Sequence, residues 1–196
     1  MLVAVLGLGA VASSAASAAT PEWKFEGKTI KTPLNVTGLW DESGAFKLSD
    51  SAINAELSCE VKSTDEVSAK TVETSNFVWE QCKYIKQGGC ESVERYLTEE
   101  PVGLPWKSEL YEEGGKLRER IKSATGERLG WAFSCRAFVG QDCTATELTA
   151  GLSNVTNGVD ATFEPLTTKL VCSGTAGDGS GSVEGTELLK DKGLTA

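Results

Sequence analysis

The sequence predicts an all-β protein, an antiparallel sandwich or barrel stapled by disulfides. Three observations point there. Several stretches alternate apolar and polar residues, turn signals recur roughly every ten residues, and the chain carries six cysteines without a single histidine.

The alternation is clearest from Ile53 to Lys62, where every odd position is apolar and every even one polar. A strand sends successive side chains to opposite faces, so this pattern describes one buried and one wetted face. Leu129, Trp131, Phe133, Cys135, Ala137 and Val139 repeat it. Cys59 and Cys135 therefore take inward positions. Val159, Ala161 and Phe163 alternate with Asp160, Thr162 and Glu164 directly after Asn157-Gly158, a strong hairpin signal. A second hairpin is expected in WKSELYEEGGKLRERIKS, with Glu112-Glu113-Gly114-Gly115 as its turn. Lys116, Arg118, Arg120 and Lys122 then line one face of the return strand. That row reads as a solvated face balanced by Glu109, Glu112 and Glu119 rather than as an anion site. Two helical turns through Leu117 and Ile121 are the competing reading, weakened by Gly115 and Gly126.

An internal echo links FKLSDSAINAELSCEVKSTDEVSAKTVET to FEPLTTKLVCSGTAGDGSGSVEGTELL. The expectation is a single β domain over 20–196, with two similar halves (about 45–100 and 150–196) as the alternative organisation. The glycine-rich run from Gly174 to Gly185 reads as a flexible loop.

Residues 1–19 are uncharged, apolar from Leu2 to Val11, and end in the small residues Ala16-Ser17-Ala18-Ala19. This is the pattern of a secretory signal peptide, although no Lys or Arg follows Met1. Export predicts a secreted, extracellular location. No second long apolar run follows, so no membrane association is expected once the signal is removed.

An even cysteine count behind such a leader reads as three disulfides. Histidine is absent, and so are close C-x-x-C pairs, which argues against zinc and thioredoxin-type sites. The spacings of CKYIKQGGC and CRAFVGQDC favour Cys82–Cys90 and Cys135–Cys143, leaving Cys59–Cys172. The second choice joins Cys59 to Cys82 across adjacent strands.

PEW near the start of the mature chain, LPWKSELYEEGGKLRERI, GWAFSC and the closing VCSGTAGDGSGSVEGTELL together resemble exported proteins of unknown function from actinobacteria. The similarity spans nearly the whole mature chain. It implies export and a β-rich fold, and it brings no activity and no catalytic residues.

The net charge of −9 leaves no electrostatic footprint for nucleic acid. Without histidine there is no base for Ser–His or Cys–His catalysis. No metal or cofactor is expected. Asp178, Ser180, Ser182 and Glu184 alternate as calcium ligands can, but only two are carboxylates and the spacing is not that of an EF-hand. The expected function is non-catalytic: a binding or cell-surface module for an extracellular glycan or protein. Of the five tryptophans, Trp131 and Trp79 read as core and Trp23 as a cap on one end of the sheet. Trp40 and Trp106 adjoin turn residues and are the candidate ligand-stacking rings. The alternative is a carboxylate-dependent glycoside hydrolase drawing on Asp41-Glu42, Asp65-Glu66, Glu99-Glu100 or Glu112-Glu113. Neighbouring residues point to opposite faces of a strand, so a working pair must come from different strands.

Overall fold

The structure, a computed structural model, describes residues 20–40, 45–86, 97–135, 139–164, 169–175 and 177–196. The predicted signal peptide lies outside them. Every regular element among the described residues is a β-strand, and every pairing is antiparallel. The first eight strands are β1 (Lys24–Phe25), β2 (Lys28–Thr29), β3 (Leu34–Trp40), β4 (Phe46–Asp50), β5 (Ala55–Val67), β6 (Thr71–Lys86), β7 (Leu97–Val102) and β8 (Trp106–Glu113). They are followed by β9 (Lys116–Ser123), β10 (Leu129–Cys135), β11 (Val139–Ala145), β12 (Leu148–Val155), β13 (Gly158–Phe163), β14 (Lys169–Gly174), β15 (Gly179–Lys190) and β16 (Leu194–Thr195). No helix among them is long and apolar enough to cross a membrane.

One sheet of thirteen strands carries the fold. Eight of its strands close into a ring in the order β13-β12-β9-β8-β6-β5-β3-β15, with β15 pairing back to β13. The ring uses only one end of the long strands. β15 pairs with β13 and β3 through residues 185–190, whereas residues 179–184 pair with β14 and β4. β5 likewise gives residues 62–67 to β3 and 55–59 to β4. Beyond the ring the sheet therefore continues as β6-β5-β4-β15-β14-β11-β10-β7. Closing the ring leaves its eight strands without exposed edges at that end, while the continuation ends at β7, which pairs with β10.

The predicted hairpins form. β8 and β9 meet with Glu113 opposite Lys116, and Gly114 and Gly115 between them both have positive φ, of 60° and 74°. Glycine takes that geometry without steric cost, which suits the tight turn. The helical alternative for KLRERIKS is not what forms. The β12–β13 turn falls one residue earlier than expected, at Thr156-Asn157, and Gly158 opens the return strand opposite Val155. The glycine-rich run also departs from expectation, since Gly179–Lys190 is a strand and not a loop. A Cβ at Gly181 would come within 2.6 Å of both Cys172 Sγ and the Ser49 carbonyl. Glycine there admits close packing and does not signal flexibility.

The disulfides correct the preferred pairing. Cys59 is bonded to Cys82, and Cys143 to Cys172. Each bond joins neighbouring strands: β5 to β6, and β11 to β14, where Cys143 and Cys172 are direct ladder partners. Cys135–Cys143 fails because Cys135 opposes Val139 while Cys143 opposes Trp131. Four residues of offset place the two backbones roughly 13 Å apart along the strand. Cys59–Cys172 fails because β4 and β15 intervene between β5 and β14. Cys82–Cys90 is ruled out by the bond that Cys82 makes to Cys59. Cys90 and the Cys135 side chain lie outside the described residues.

Two apolar clusters fill the interior. The larger holds Phe46, Trp79, Trp106, Trp131, Phe133 and Phe163 among others. Phe77 and Trp106 lie with ring centroids 4.8 Å apart, and Trp131 and Phe133 5.1 Å apart. The smaller contains Val36, Val67, Val72, Val159 and Leu189. It is closed by the three-stranded sheet β16-β1-β2, whose Leu194 and neighbouring Trp23 are fully buried. Trp23 thus caps the end of the ring, as expected.

Candidate functional site

A layer of polar side chains separates the two apolar clusters inside the ring. Along β5 the inward positions run Val61, Ser63, Asp65, Val67, and all four are buried. Along β15 they include Val183, Glu187 and Leu189, and along β9 Glu119, Ile121 and Ser123. The same alternation that buries the apolar residues carries these three acids into the core. Trp106, Phe77 and Phe163 lie in the cluster on one side of the layer, and Val36, Val67, Val72 and Leu189 in that on the other.

Ser63 is the centre of this layer. Its Oγ is in hydrogen-bond contact with Asp65 Oδ2 and lies 2.5 Å from Glu187 Oε1. Thr74 Oγ1 donates to Asp65 Oδ1 at 2.6 Å, and the Gly38 backbone N–H also donates to Asp65. A serine hydroxyl has one proton to give. Both contacts to carboxyl oxygens can be full hydrogen bonds only if one carboxyl donates back. Asp65 already accepts from Thr74 and Gly38, so the proton belongs on Glu187, which donates to Ser63 while Ser63 donates to Asp65. Gly38 makes room for this arrangement, because a methyl group there would overlap both Glu187 Oε1 and Ser63 Oγ.

The electrostatics agree with that assignment. Burial first, and the Asp65 charge second, push the Glu187 carboxyl well above the usual glutamate range. Burial also raises Asp65, against its hydrogen bonds from Ser63, Thr74 and Gly38. Burial pushes Glu119 up to about 7, with a further contribution from Asp65. The Ser108 hydroxyl is near enough to ease Glu119 ionisation, yet its Oγ meets no partner with hydrogen-bond geometry among the described residues. No buried side chain among the described residues is cationic. These carboxylates come from different strands, as a hydrolytic pair must, but apolar side chains shut them away from any substrate.

The outer face offers a different feature. A groove of about 530 Å³ lies over β5, β4, β15 and β14. Ladder partners form a row across it: Lys86, Glu56, Ser49, Ser182 and Lys169. Ser49 Oγ and Ser182 Oγ are 2.8 Å apart, and Ser51 Oγ and Ser180 Oγ 3.2 Å apart. Lys86 Nζ donates to Asn54 Oδ1 at 2.6 Å. A second row, Lys83, Ser58, Lys47 and Glu184, runs beside the first. Lysines thus outnumber carboxylates in these two rows, although the whole chain is acidic. Asp50 lies beneath the groove floor, with Oδ1 accepting from the Ala52 N–H at 2.8 Å. It also approaches the sulfurs of Cys143 and Cys172, but these are bonded to each other and offer no thiolate to a metal.

The ligand-stacking reading of Trp106 is overturned. Its indole is buried in the larger cluster and donates from Nε1 to the Val102 carbonyl at 2.8 Å. It is in phase with Ser108 and Leu110, the inward residues of β8, and that alternation was the signal for burial. Trp40 ends β3 opposite Glu187 in the ladder, and its side chain lies outside the described residues. Trp79 and Trp131 are core, as expected.

Among the described residues the acidic doublets do not pair with one another in a cleft, although Glu100 lines a groove of about 300 Å³ with Asp142, each opposite Ala132 on either side of β10. Asp65 points inward and Glu66 outward, Glu112 and Glu113 are exposed at a turn, and Asp41, Glu42 and the Glu99 side chain lie outside the described residues. Of the acids expected to balance the basic row of β9, Glu109 stands opposite Arg120 in the ladder, whereas the ion pairs themselves are made with other acids. Arg118 pairs with Glu113 at 3.3 Å, and Glu147 takes Arg120 at 3.7 Å and Lys122 at 3.4 Å. Glu119, expected among the balancing acids, points into the core. No protein-family model matches the chain, and neither a curated protein nor a solved structure is significantly similar to it.

Proposed function

We propose that this protein is a non-catalytic binding module of the cell exterior, and that the groove over β4 and β15 takes an anionic, hydroxyl-bearing ligand such as an acidic glycan. The observation that carries the reading is the row Lys86–Glu56–Ser49–Ser182–Lys169 across a groove of about 530 Å³. Serine hydroxyls both donate and accept, which suits a partner rich in hydroxyl groups. The flanking ammonium groups suit its carboxylates, and each works as a point charge on a flexible stem. Two cross-strand disulfides fit an oxidising compartment, in keeping with the leader-like residues 1–19. The glycoside-hydrolase alternative finds less support, because Asp65, Glu119 and Glu187 are sealed in the core and Glu100 and Asp142 stand apart, with β10 between them.

The test is retention of the purified chain on immobilised polygalacturonate and, in parallel, on neutral dextran. Retention on the acidic polymer alone, weakened by salt, is the expected result. Replacing Lys86 and Lys169 together by Glu should lower affinity by roughly tenfold or more. Equal retention on both polymers, or on neither, would overturn the reading.

A further inference from the structure

We propose that the interior of the ring is a proton-binding site: folding traps a proton between Glu187 and Asp65 through Ser63, and Glu119 takes up another as the medium acidifies, so that the barrel tightens at low pH. This inference is independent of the groove and its ligand.

Geometry carries it. One hydroxyl touches oxygens of two carboxyl groups that are both buried, a contact set that two carboxylate anions cannot make. From the strands packed around the layer, β3 brings Gly38, β6 brings Thr74 and β8 brings Ser108. β12 and β13 bring the small side chains of Ala150 and Ala161, which stand opposite Glu119 and Glu187 in the ladders. Asp65, Glu119 and Glu187 are the titratable groups that these inward faces present among the described residues. The nearest cations along β9, Arg118 and Arg120, pair outside with Glu113 and Glu147. Among the described residues nothing cationic inside the ring offsets the acids, so protons must.

The direction follows from linkage. In the unfolded chain these groups ionise near the ordinary carboxylate range, whereas in the fold Glu119 keeps its proton to about 7 and burial holds Glu187 well above the usual glutamate range. Between those limits the native state binds more protons than the unfolded one, so stability falls as pH rises. The contribution is intact at and below the unfolded pKa and is lost as pH climbs through the folded values.

Urea unfolding of the full chain at about pH 5 and about pH 8 tests this, with the folding constant expected to drop by roughly tenfold or more at the higher pH. Acidification also relieves the general repulsion of a chain of net charge −9, so variants must separate the two effects. Glu187→Gln and Glu119→Gln, which mimic the protonated acids, should each flatten the pH dependence. Glu112→Gln, at an exposed turn, should leave it unchanged. An unaltered slope in both core variants would overturn the proposal. Should those variants fail to fold, the infrared carbonyl band of a protonated carboxyl decides in the wild type. Its presence at neutral pH supports the trapped proton, and its absence refutes it.

Discussion

Gly38 stands directly across the β3–β5 ladder from Ser63 and has no space for a methyl group beside Glu187. The Ser63 network therefore depends on a residue without a side chain. Gly38→Ala should cost about 1–3 kcal/mol by overpacking a buried site. Gly140→Ala, where a Cβ meets nothing within 4 Å, should change stability by less than about 0.5 kcal/mol in the same urea titration. A smaller loss at Gly38 than at Gly140 would contradict the packing described for the layer. At this scale the polar layer is legible in the alternation of the strands. Asp65 is in phase with Val61 and Val67, Glu119 with Ile121, and Glu187 with Val183 and Leu189. Acids on the apolar phase of a strand are the mark of a buried polar layer, and parity places Glu119 in the core, on the face opposite the basic row. Parity would also have buried Trp106.

Strands and their turns were the most legible elements, because alternation and turn chemistry are local properties of the chain. The β8–β9 hairpin follows from Glu113-Gly114-Gly115-Lys116, and the β12–β13 hairpin was legible to within one residue. The cysteine pairing was not legible, since it depends on which strands become neighbours and in what register. Spacing within CRAFVGQDC suggested a local loop, yet the β10–β11 register carries Cys135 and Cys143 past one another. Proteolysis without reduction should recover peptides joined through Cys59–Cys82 and Cys143–Cys172. Replacing Cys59 and Cys82 together by Ala should lower stability by about 3 kcal/mol on the chain-entropy estimate for a loop of this length, given the sequence separation of 23. A map joining Cys82 to any other cysteine would refute the β5–β6 register.

For the molecule as a whole, ring closure decides everything that follows. β15 reaches back to β13, and this one pairing encloses the acidic layer, with the smaller apolar cluster on one side of it and part of the larger on the other. The end of the ring is plugged by β16, where Leu194 is 1% exposed beside Trp23. Leu194→Ala should therefore cost about 2–4 kcal/mol and shift tryptophan emission to the red. An unchanged emission spectrum and stability would mean that the cap does not seal the ring. The sequence by itself determined that the chain is β-rich and antiparallel, where most strands run, and which faces turn inward, because each is set by residues close together in the chain. Only the tertiary structure decided the ring, the disulfide partners, the polar row across the groove and the meeting of Asp65, Glu119 and Glu187. Those depend on register between strands far apart in sequence, where a shift of one residue exchanges every inward side chain for an outward one.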